Sequence, residues 1–251
     1  MLQPFITKAL PNTIWRLEID ELTGIMVVEM RNQQQKLVSF SAINLQTGNV
    51  HIENYTTPER WLTGIEAVYD GVMLLHGYKH ESGPEHKAII AADAITANEL
   101  WSNYSLAFDH MSINGPVVYN TSMLPKKLML ADARTGEIKR PYEMQADKPL
   151  TNSIVIPEIA TAAELPVLNL PADAYGNIVH YLNHNKYRIV SLHTLKNGAL
   201  QQHLFVMDGI DVVYQDLINT EIQKLQPEAF VLHKNALIYI KNKAELIVLD
   251  L

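Results

Sequence analysis

The sequence predicts an all-β protein, and three observations carry that prediction. Short apolar or alternating runs recur along the whole chain, each bounded by Gly, Asn, Asp or Pro, which is typical of strands and turns. Of the 251 residues, 47% are hydrophobic and 19% are charged, a composition that fits a folded globular protein and not a disordered chain. Two segments alone show the partial 3.6-residue spacing of a helix.

In chain order, strands are predicted at residues 15–19, 25–30, 37–43, 72–75, 87–91, 116–119, 127–130, 178–182, 187–192, 203–207, 230–232, 236–240 and 245–249. The two helical candidates are residues 154–165 and 216–225. The second places four apolar residues on one face, Leu217, Ile218, Ile222 and Leu225, and its pattern is compatible with a short helix and with a looped strand.

One unit recurs five times: a strand opened by Gly or Asn, a polar loop, a second strand and a tight turn. The copies open at Gly24, Gly71, Gly115, Gly176 and Asn235. The marker residues where the second strands end are Asn44, Asp93, Asp132, His193 and Asp250.

The chemistry of the turns explains why these residues recur. An Asn or Asp side chain accepts hydrogen bonds from backbone N–H groups two or three residues on. A Gly at the end of the turn supplies the positive φ that closes a bulged hairpin. A further strand follows the turn, such as residues 99–104. Four strands in about 40–50 residues is the spacing of a β-propeller blade.

The turns also resemble a known repeat, Asp-Ala-x-Thr-Gly-x-x-x-Trp, which marks the quinoprotein-like β-propellers. Residues 93–101 match it except that Ala97 replaces Gly. Residues 132–136 match its first half, with Arg140 at the Trp position, and residues 44–48 match the turn, with Ile52 at that position. The resemblance implies a propeller. In the quinone-dependent members, the cofactor lies under a disulfide between adjacent cysteines. Because this chain has no cysteine, no quinone cofactor is expected.

We therefore expect one domain over residues 1–251, a β-propeller of five four-stranded blades, with an insertion at about residues 141–172. A sixth, sequence-worn blade around residues 154–156 and 167–170 is the alternative. The last copy ends with the chain and lacks a fourth strand. Residues 5–9 are expected to pair with residues 245–249 and close the ring, burying Phe5 and Ile6.

Composition excludes several classes of function. With 27 acidic and 20 basic residues, the net charge of −7 argues against a nucleic acid or an anionic membrane as the main partner. The absence of cysteine excludes disulfide scaffolds, thiolate zinc sites and cysteine nucleophiles. No stretch approaches the ~18 apolar residues of a membrane span, and the N-terminus lacks a signal-peptide pattern. We expect a cytoplasmic monomer that binds a protein or a small molecule.

Ten histidines raise the question of a metal site. Two pairs are four residues apart: His76 with His80, and His180 with His184. Along a strand this spacing spans ~13 Å, too far for one ion held at ~2.0–2.1 Å from each nitrogen. A loop site from His80, Glu85 and His86 is the alternative to plain solvated residues. The sequence assigns no catalytic, cofactor-binding or metal-binding residue, and no cofactor is expected.

Polar residues on the predicted inner strands could converge in a central channel. The strands are residues 15–20, 64–69, 108–113, 165–170 and 230–233, and the polar members are Glu18, Glu66, Asp109, His110, Asn169 and His233. A carboxylate with a histidine could do acid–base work there if burial shifted their pKa values. Two hypotheses follow. A non-catalytic protein binding its ligand on a loop face is preferred, because no catalytic constellation stands out. A small propeller hydrolase or lyase acting on a sugar or lactone is the alternative.

The three tryptophans, Trp15, Trp61 and Trp101, lie near predicted strand ends. Packing between blades is the preferred interpretation, and an exposed binding platform is the alternative.

Overall fold

The computed structural model describes residues 1–81, 83–161 and 172–251, and these residues are mostly strands and turns. They contain no α-helix, and a short 3-10 turn at Tyr175–Asn177 is their one helical element. No helix in the described part of the chain could cross a bilayer. The all-β prediction is confirmed. The strands are β1 (Ile6–Ala9), β2 (Thr13–Ile19), β3 (Ile25–Asn32), β4 (Leu37–Asn44), β5 (Val50–Tyr55), β6 (Thr63–Tyr69), β7 (Val72–Tyr78), β8 (His86–Asp93), β9 (Glu99–Asn103), β10 (Leu106–Ser112), β11 (Gly115–Asn120), β12 (Leu128–Ala131), β13 (Ile138–Pro141), β14 (Ile154–Val155), β15 (Glu158–Thr161), β16 (Ile178–His184), β17 (Tyr187–Lys196), β18 (Ala199–Asp208), β19 (Asp211–Ile222), β20 (Val231–His233), β21 (Ala236–Lys241) and β22 (Glu245–Asp250).

The chain divides into two compact units. The central unit is residues 12–152, and the terminal unit combines residues 1–11 with residues 153–251. The central unit holds three antiparallel sheets whose strand order follows the chain: β2–β3–β4–β5, β6–β7–β8–β9 and β10–β11–β12–β13. The predicted four-stranded repeat is thus confirmed for its first three copies.

The tight turns of the central unit have the predicted chemistry. In each, the first side chain accepts hydrogen bonds of 2.9–3.0 Å from the N–H groups two and three residues on, and these side chains are Asn44, Asp93 and Asp132. The fifth residue has a positive φ, which is 73° for Gly48, 62° for Ala97 and 73° for Gly136. Ala97 keeps this conformation despite its Cβ because the Asp93 hydrogen bonds hold the rest of the turn.

The first strand of each central sheet carries a β-bulge, where one residue has no partner on the next strand. The bulged residues are Trp15 in β2, Glu66 in β6 and Asp109 in β10. A bulge bends its strand and re-aims a side chain. The same irregularity therefore gives each first strand one redirected residue.

Trp101 of β9 packs against the turn of the next sheet. Its indole Nε1–H donates to the carbonyl of Ala133 at 2.8 Å. A Cβ placed on Gly136 would lie 2.6 Å from the indole ring, so only glycine leaves room for this contact. The preferred interpretation of Trp101 as a residue that packs between sheets is confirmed. Trp15, in contrast, is 60% exposed.

The terminal unit departs from the four-stranded expectation. Its two sheets have five strands each, in the orders β15–β16–β17–β18–β19 and β1–β22–β21–β20–β14. The helical alternative for residues 216–225 is wrong, because β19 pairs with β18 as far as Ile222. The helical candidate at residues 154–165 begins with two strands, β14 and β15, and its residues 162–165 lie outside the described residues.

The predicted inner strand of the fourth copy, residues 165–170, also lies outside the described residues. The proposed sixth blade comprises residues 154–156 and 167–170. Residues 167–170 lie outside the described residues, whereas Ile154 and Val155 pair with β20. The strand β14 therefore belongs to the last sheet and does not begin a sheet of its own. Ile154 lies opposite His233 and Val155 opposite Leu232 in this pairing.

The N-terminal strand pairs as expected. β1 is antiparallel to β22, with Ile6 opposite Val248 and Ala9 opposite Glu245. The N–H of Phe5 adds a hydrogen bond of 2.8 Å to the Val248 carbonyl. The expected burial is correct for Ile6, which is 6% exposed, and wrong for Phe5, which is 47% exposed. Successive side chains of a strand point to opposite faces, so only one of the two can face the core.

This alternation predicts unequal effects of two substitutions. Ile6→Ala should lower the free energy of unfolding by about 2–3 kcal/mol, because it leaves a cavity in the core. Phe5→Ala should change it by less than about 1 kcal/mol, because the ring is half exposed. Urea unfolding of both variants measures the difference. Equal losses would show that β1 docks in another register.

The contact between Trp101 and Gly136 predicts a second pair of variants. Gly136→Ala forces a Cβ into the indole ring and places an alanine at a positive φ. It should therefore lower the stability of the protein more than Gly198→Ala does. Gly198 has a φ of +81°, and no heavy atom lies within 4 Å of the position that a Cβ would take there. Its substitution should therefore cost only the backbone strain of about 1–2 kcal/mol. Thermal melting compares the two, and a smaller loss for Gly136→Ala would contradict the packing.

Candidate functional site

A carboxylate and two imidazoles meet on the second sheet of the central unit. Glu66 lies at the bulge of β6, His76 on β7 and His86 on β8, three neighbouring strands. His86 is opposite Tyr78 in the register, and Tyr78 lies two residues after His76 on the same face of β7. The two histidines are therefore diagonal neighbours across β7 and β8. We call Glu66, His76 and His86 the triad.

One oxygen of Glu66 serves both imidazoles. Its Oε1 lies 2.7 Å from Nδ1 of His86 and 3.2 Å from Nδ1 of His76. The two imidazole rings are stacked, with centroids 3.6 Å apart and an interplanar angle of 9°. Tyr78 meets both rings edge-on at 4.6 and 5.0 Å. The arrangement is compact, and its single carboxylate can balance one positive charge.

His76 is the deepest member of the triad. Its side chain is 2% exposed, and neither ring nitrogen makes a hydrogen bond with acceptable geometry. The ring lies against Gly64, where a Cβ would be 2.9 Å from its Cε1 and Nε2 atoms. Glycine at position 64 thus leaves the space that the buried imidazole occupies.

The wall beside the triad is a second buried ion pair. Glu29 of β3 binds Arg31 at 2.7 Å and accepts the N–H of Ile65 at 2.9 Å. The Arg31 guanidinium lies within 5.1–5.8 Å of three aromatic ring centroids, those of Trp15, Trp61 and Tyr78. Cation–π contacts of this kind stabilise a desolvated guanidinium. Trp15 is therefore packed by Arg31 on one side although most of its surface is exposed.

The environments of two glutamates shift their pKa values in opposite directions. Burial raises the pKa of Glu66, but the close contacts with the imidazoles of His76 and His86 outweigh it, so the net pKa is lowered. Burial also raises the pKa of Glu18, and the nearby Arg16 offsets this only in part, so its net pKa is raised. Glu66 is thus the one of the two that ionises more readily.

A pocket of about 440 Å³ opens beside His86. It is bounded by residues of the second and third central sheets and the loop before β8: Lys79, Pro84, Glu85, His86, Phe108, Tyr119 and Thr121. Lys79 and Glu85 form an ion pair of 2.8 Å. The side chain of Lys126 lies 3.8 Å from the Tyr119 ring centroid and binds Asp109. The pocket therefore combines two aromatic rings, a hydroxyl and an imidazole with charges that are already paired.

The predicted channel residues are divided between the units. Glu18, Glu66, Asp109 and His110 lie in the central unit, His233 lies in the terminal unit, and Asn169 lies outside the described residues. Each of the three central carboxylates has a basic partner. Glu18 binds Arg16 at 2.7 Å, Glu66 binds the two histidines of the triad, and Asp109 binds His110 at 2.7 Å.

The histidine pairs that are four residues apart do not assemble. His76 is buried while His80 is exposed, and His180 is buried while His184 binds the Asn235 side chain. The loop combination of His80, Glu85 and His86 does not form either. In the structure Glu85 pairs with Lys79 and His86 turns to Glu66.

The sequence pattern points to every member of the triad but does not combine them. A comparison of histidines within one segment misses the site, because the triad takes one residue from each of three strands. The usable signal is the pairing of β7 with β8 across the loop that follows Tyr78, which brings His86 opposite that tyrosine. The bulge that re-aims Glu66 has no signature in a single sequence.

The terminal unit has a buried polar cluster of a different kind. His193 accepts the Gln226 N–H at 3.1 Å through Nε2, and His180 bonds the Pro227 carbonyl at 3.1 Å. Gln202 donates to the Glu228 carbonyl at 3.0 Å. These bonds fix the loop before β20 to the sheet. Burial, followed by the charges of His180 and His203, lowers the pKa of His193 to about 4.

Comparisons with known proteins give limited information. Residues 19–101, a third of the chain, match the model of a Domain of unknown function (DUF4905). No curated protein matches the chain.

Several solved structures are similar to the chain, among them the following two. The first is the beta-propeller domain of the Trilobed protease from Pyrococcus furiosus, with 12% identity and a TM-score of 0.34 over 95% of this chain. The chain spans 65% of the length of that protein. The second is a GH43 endo-arabinanase from Bacillus licheniformis, with 11% identity and a TM-score of 0.31, covering 98% of this chain and 96% of the other. At these scores neither likeness carries an argument about function.

The burial of His193 predicts a loss of stability in acid. Its folded pKa is about 4, below the ordinary value of about 6.5, so the unfolded chain takes up a proton that the folded chain refuses. The resulting loss of stability is nearly absent above pH ~6.5 and grows as the pH falls towards ~4. Between pH 7 and pH 5 it should lower the free energy of unfolding by about 2 kcal/mol.

Urea unfolding of the wild type, His193→Gln and His80→Gln at both pH values measures this loss. The wild type and His80→Gln, which replaces an exposed histidine, should lose the same amount, and His193→Gln should lose about 2 kcal/mol less. An unchanged pH dependence in His193→Gln would show that the imidazole is protonated in the folded protein.

Proposed function

We propose that the protein binds a small, uncharged, hydroxyl-bearing ring compound, such as a mono- or disaccharide, in the pocket beside His86. The observation that carries the proposal is the lining of the pocket. Phe108 and Tyr119 supply aromatic rings, and Glu85, His86 and Thr121 supply hydrogen-bonding groups. Sugars present an apolar face and hydroxyls at the edge, which such a lining complements. Its size of about 440 Å³ is in the range of small-ligand sites.

The charges around the pocket support an uncharged ligand. Lys79 is neutralised by Glu85, and Lys126 is held by Asp109 and by the Tyr119 ring. A strongly ionic ligand would compete with one of these pairs for its charged partner, although exposed ion pairs of this kind each contribute little. A neutral ligand leaves both pairs in place.

The engaged carboxylates favour binding over acid–base catalysis. A hydrolase or lyase needs a carboxyl group that is free to exchange a proton with the substrate. Glu18, Glu66 and Asp109 each hold a basic partner at hydrogen-bonding distance. The enzyme alternative is therefore the weaker proposal.

We further propose that the five sheets are the blades of one β-propeller, with β1 as the strand that completes the last blade. The meander of the central sheets and their recurring turn support this architecture. The pairing of β1 with β22 supports the closing role of the N-terminal strand. The quinoprotein-like type of repeat is part of the same proposal.

Binding to a panel of neutral mono- and disaccharides, measured by ligand-observed NMR and calorimetry, tests the proposed ligand class. Tyr119→Leu keeps apolar volume but removes the ring, and it should weaken binding about fivefold or more, since an aromatic face contributes about 1 kcal/mol. Tyr104→Leu, at an exposed tyrosine that does not line the pocket, should leave binding unchanged. No binding by the whole panel, or equal weakening by both variants, would refute the proposal.

A further inference from the structure

The geometry points to a divalent metal site, of the kind that binds zinc, formed by Glu66, His76 and His86. The ligand atoms of these three residues all lie within 4.8 Å of one another. Two imidazole nitrogens and one carboxylate oxygen are a donor set that zinc accepts, and three protein ligands leave a fourth position open. This inference goes beyond the proposed ligand pocket and does not depend on it.

The buried state of His76 is the second observation. Both ring nitrogens are shielded from water: Nε2 has no hydrogen-bond partner, and Nδ1 has only the Glu66 carboxylate oxygen at 3.2 Å, outside good hydrogen-bond geometry. Buried polar groups without partners are rare in native proteins, and a bound ion is one of the few reasons for them. Coordination through Nδ1, which faces Glu66 at 3.2 Å, would give one of these nitrogens its partner.

The stacked rings define what must move when an ion binds. Each imidazole lone pair lies in its ring plane, and two parallel rings with centroids 3.6 Å apart cannot direct both lone pairs at one ion. Neighbouring ligand atoms of a tetrahedral zinc site are ~3.3 Å apart, given bond lengths of about 2.0–2.2 Å. The Glu66–His86 separation of 2.7 Å must therefore widen. His76 is held in the core, so His86, whose side chain is 30% exposed, is the residue that turns.

The surroundings leave a route to the ion. His86 also lines the open pocket, so an ion or a water can reach the triad from the side of its most exposed member. The negative charge of Glu66 offsets part of the charge of the ion. Glu18 is a second carboxyl group nearby, since the charge of Glu66 contributes to raising the pKa of Glu18. The charge of Arg31, which lies 5.8 Å from the Tyr78 ring centroid beside the triad, is balanced by its ion pair with Glu29.

Metal titration of the full chain tests the site. Protein freed of metal with a chelator is titrated with Zn²⁺ by calorimetry and with Co²⁺ by visible absorption, which is intense for four-coordinate cobalt. We expect one ion per chain, a rise in melting temperature by mass action, and movement of the His86 ring resonances in NMR spectra. Failure to bind one ion per chain would overturn the site.

Four variants locate the bound ion. His86→Gln and Glu66→Gln should each weaken binding about tenfold or more, since even outer-shell losses at metal sites cost 10–100-fold. His80→Gln is the matched control, an exposed histidine six residues before His86, and should bind as the wild type does. Metal binding by His76→Gln is interpreted only if circular dichroism shows that this variant, which changes a buried residue, keeps the native fold. Unchanged metal binding in His86→Gln, or equal weakening in His80→Gln, would overturn the assignment. Because His86 also lines the pocket, sugar binding is tested separately with Tyr119→Leu, which changes no residue of the triad.

Discussion

The register of the central sheets depends on the hydrogen-bonded turn that begins at Asn44, Asp93 or Asp132. Each turn fixes where its two strands stop pairing, and a slip of one residue would send every side chain to the opposite face. In the second sheet, the turn at Asp93 fixes the pairing of β8 with β9, while a bulge between Leu75 and Gly77 shifts the register of β7 against β8 so that His86 lies opposite Tyr78. The position of the triad therefore follows from strand pairing and from two bulges, this one and the bulge at Glu66.

Two buried carboxylates join the first central sheet to the second. Glu29 accepts the N–H of Ile65, and Asp20 accepts the N–H of Gly71 at 2.8 Å. These N–H groups belong to the second sheet and its β6–β7 turn, so each carboxylate supplies an acceptor from the neighbouring sheet. Burying a charge is costly unless the charge is paired, and Glu29 meets that condition through Arg31. The boundary between the first and second central sheets is thus polar and hydrogen-bonded, and these bonds fix the position of β6, which carries the bulge at Glu66.

The fold was more predictable from the sequence than the site. Alternating apolar residues and Asx–Gly turns are local signals, and they correctly placed the strands of the central unit other than β5 and β13, as well as the pairing of residues 5–9 with the last strand. The fifth strands of the terminal sheets were not assigned to them, because β14 is only two residues long and the mixed pattern of β19 is compatible with a helix and with a looped strand. The triad was missed because it depends on cross-strand register and on the bulge at Glu66, which arise from tertiary pairing and not from local propensity.

Stability alone does not account for the triad. A buried imidazole without hydrogen bonds costs about 1–3 kcal/mol relative to a satisfied group, and an apolar side chain of similar volume would avoid that cost. Among the described residues, His76 is the buried side chain in which both ring nitrogens lack a hydrogen bond of good geometry, although Nδ1 lies 3.2 Å from the Glu66 carboxylate. The chain nevertheless surrounds it with specific support, a glycine at position 64 that makes room and a carboxylate re-aimed by a bulge. A costly group that is given its own space and its own counter-charge is a sign of function, because packing would select a different residue at that position.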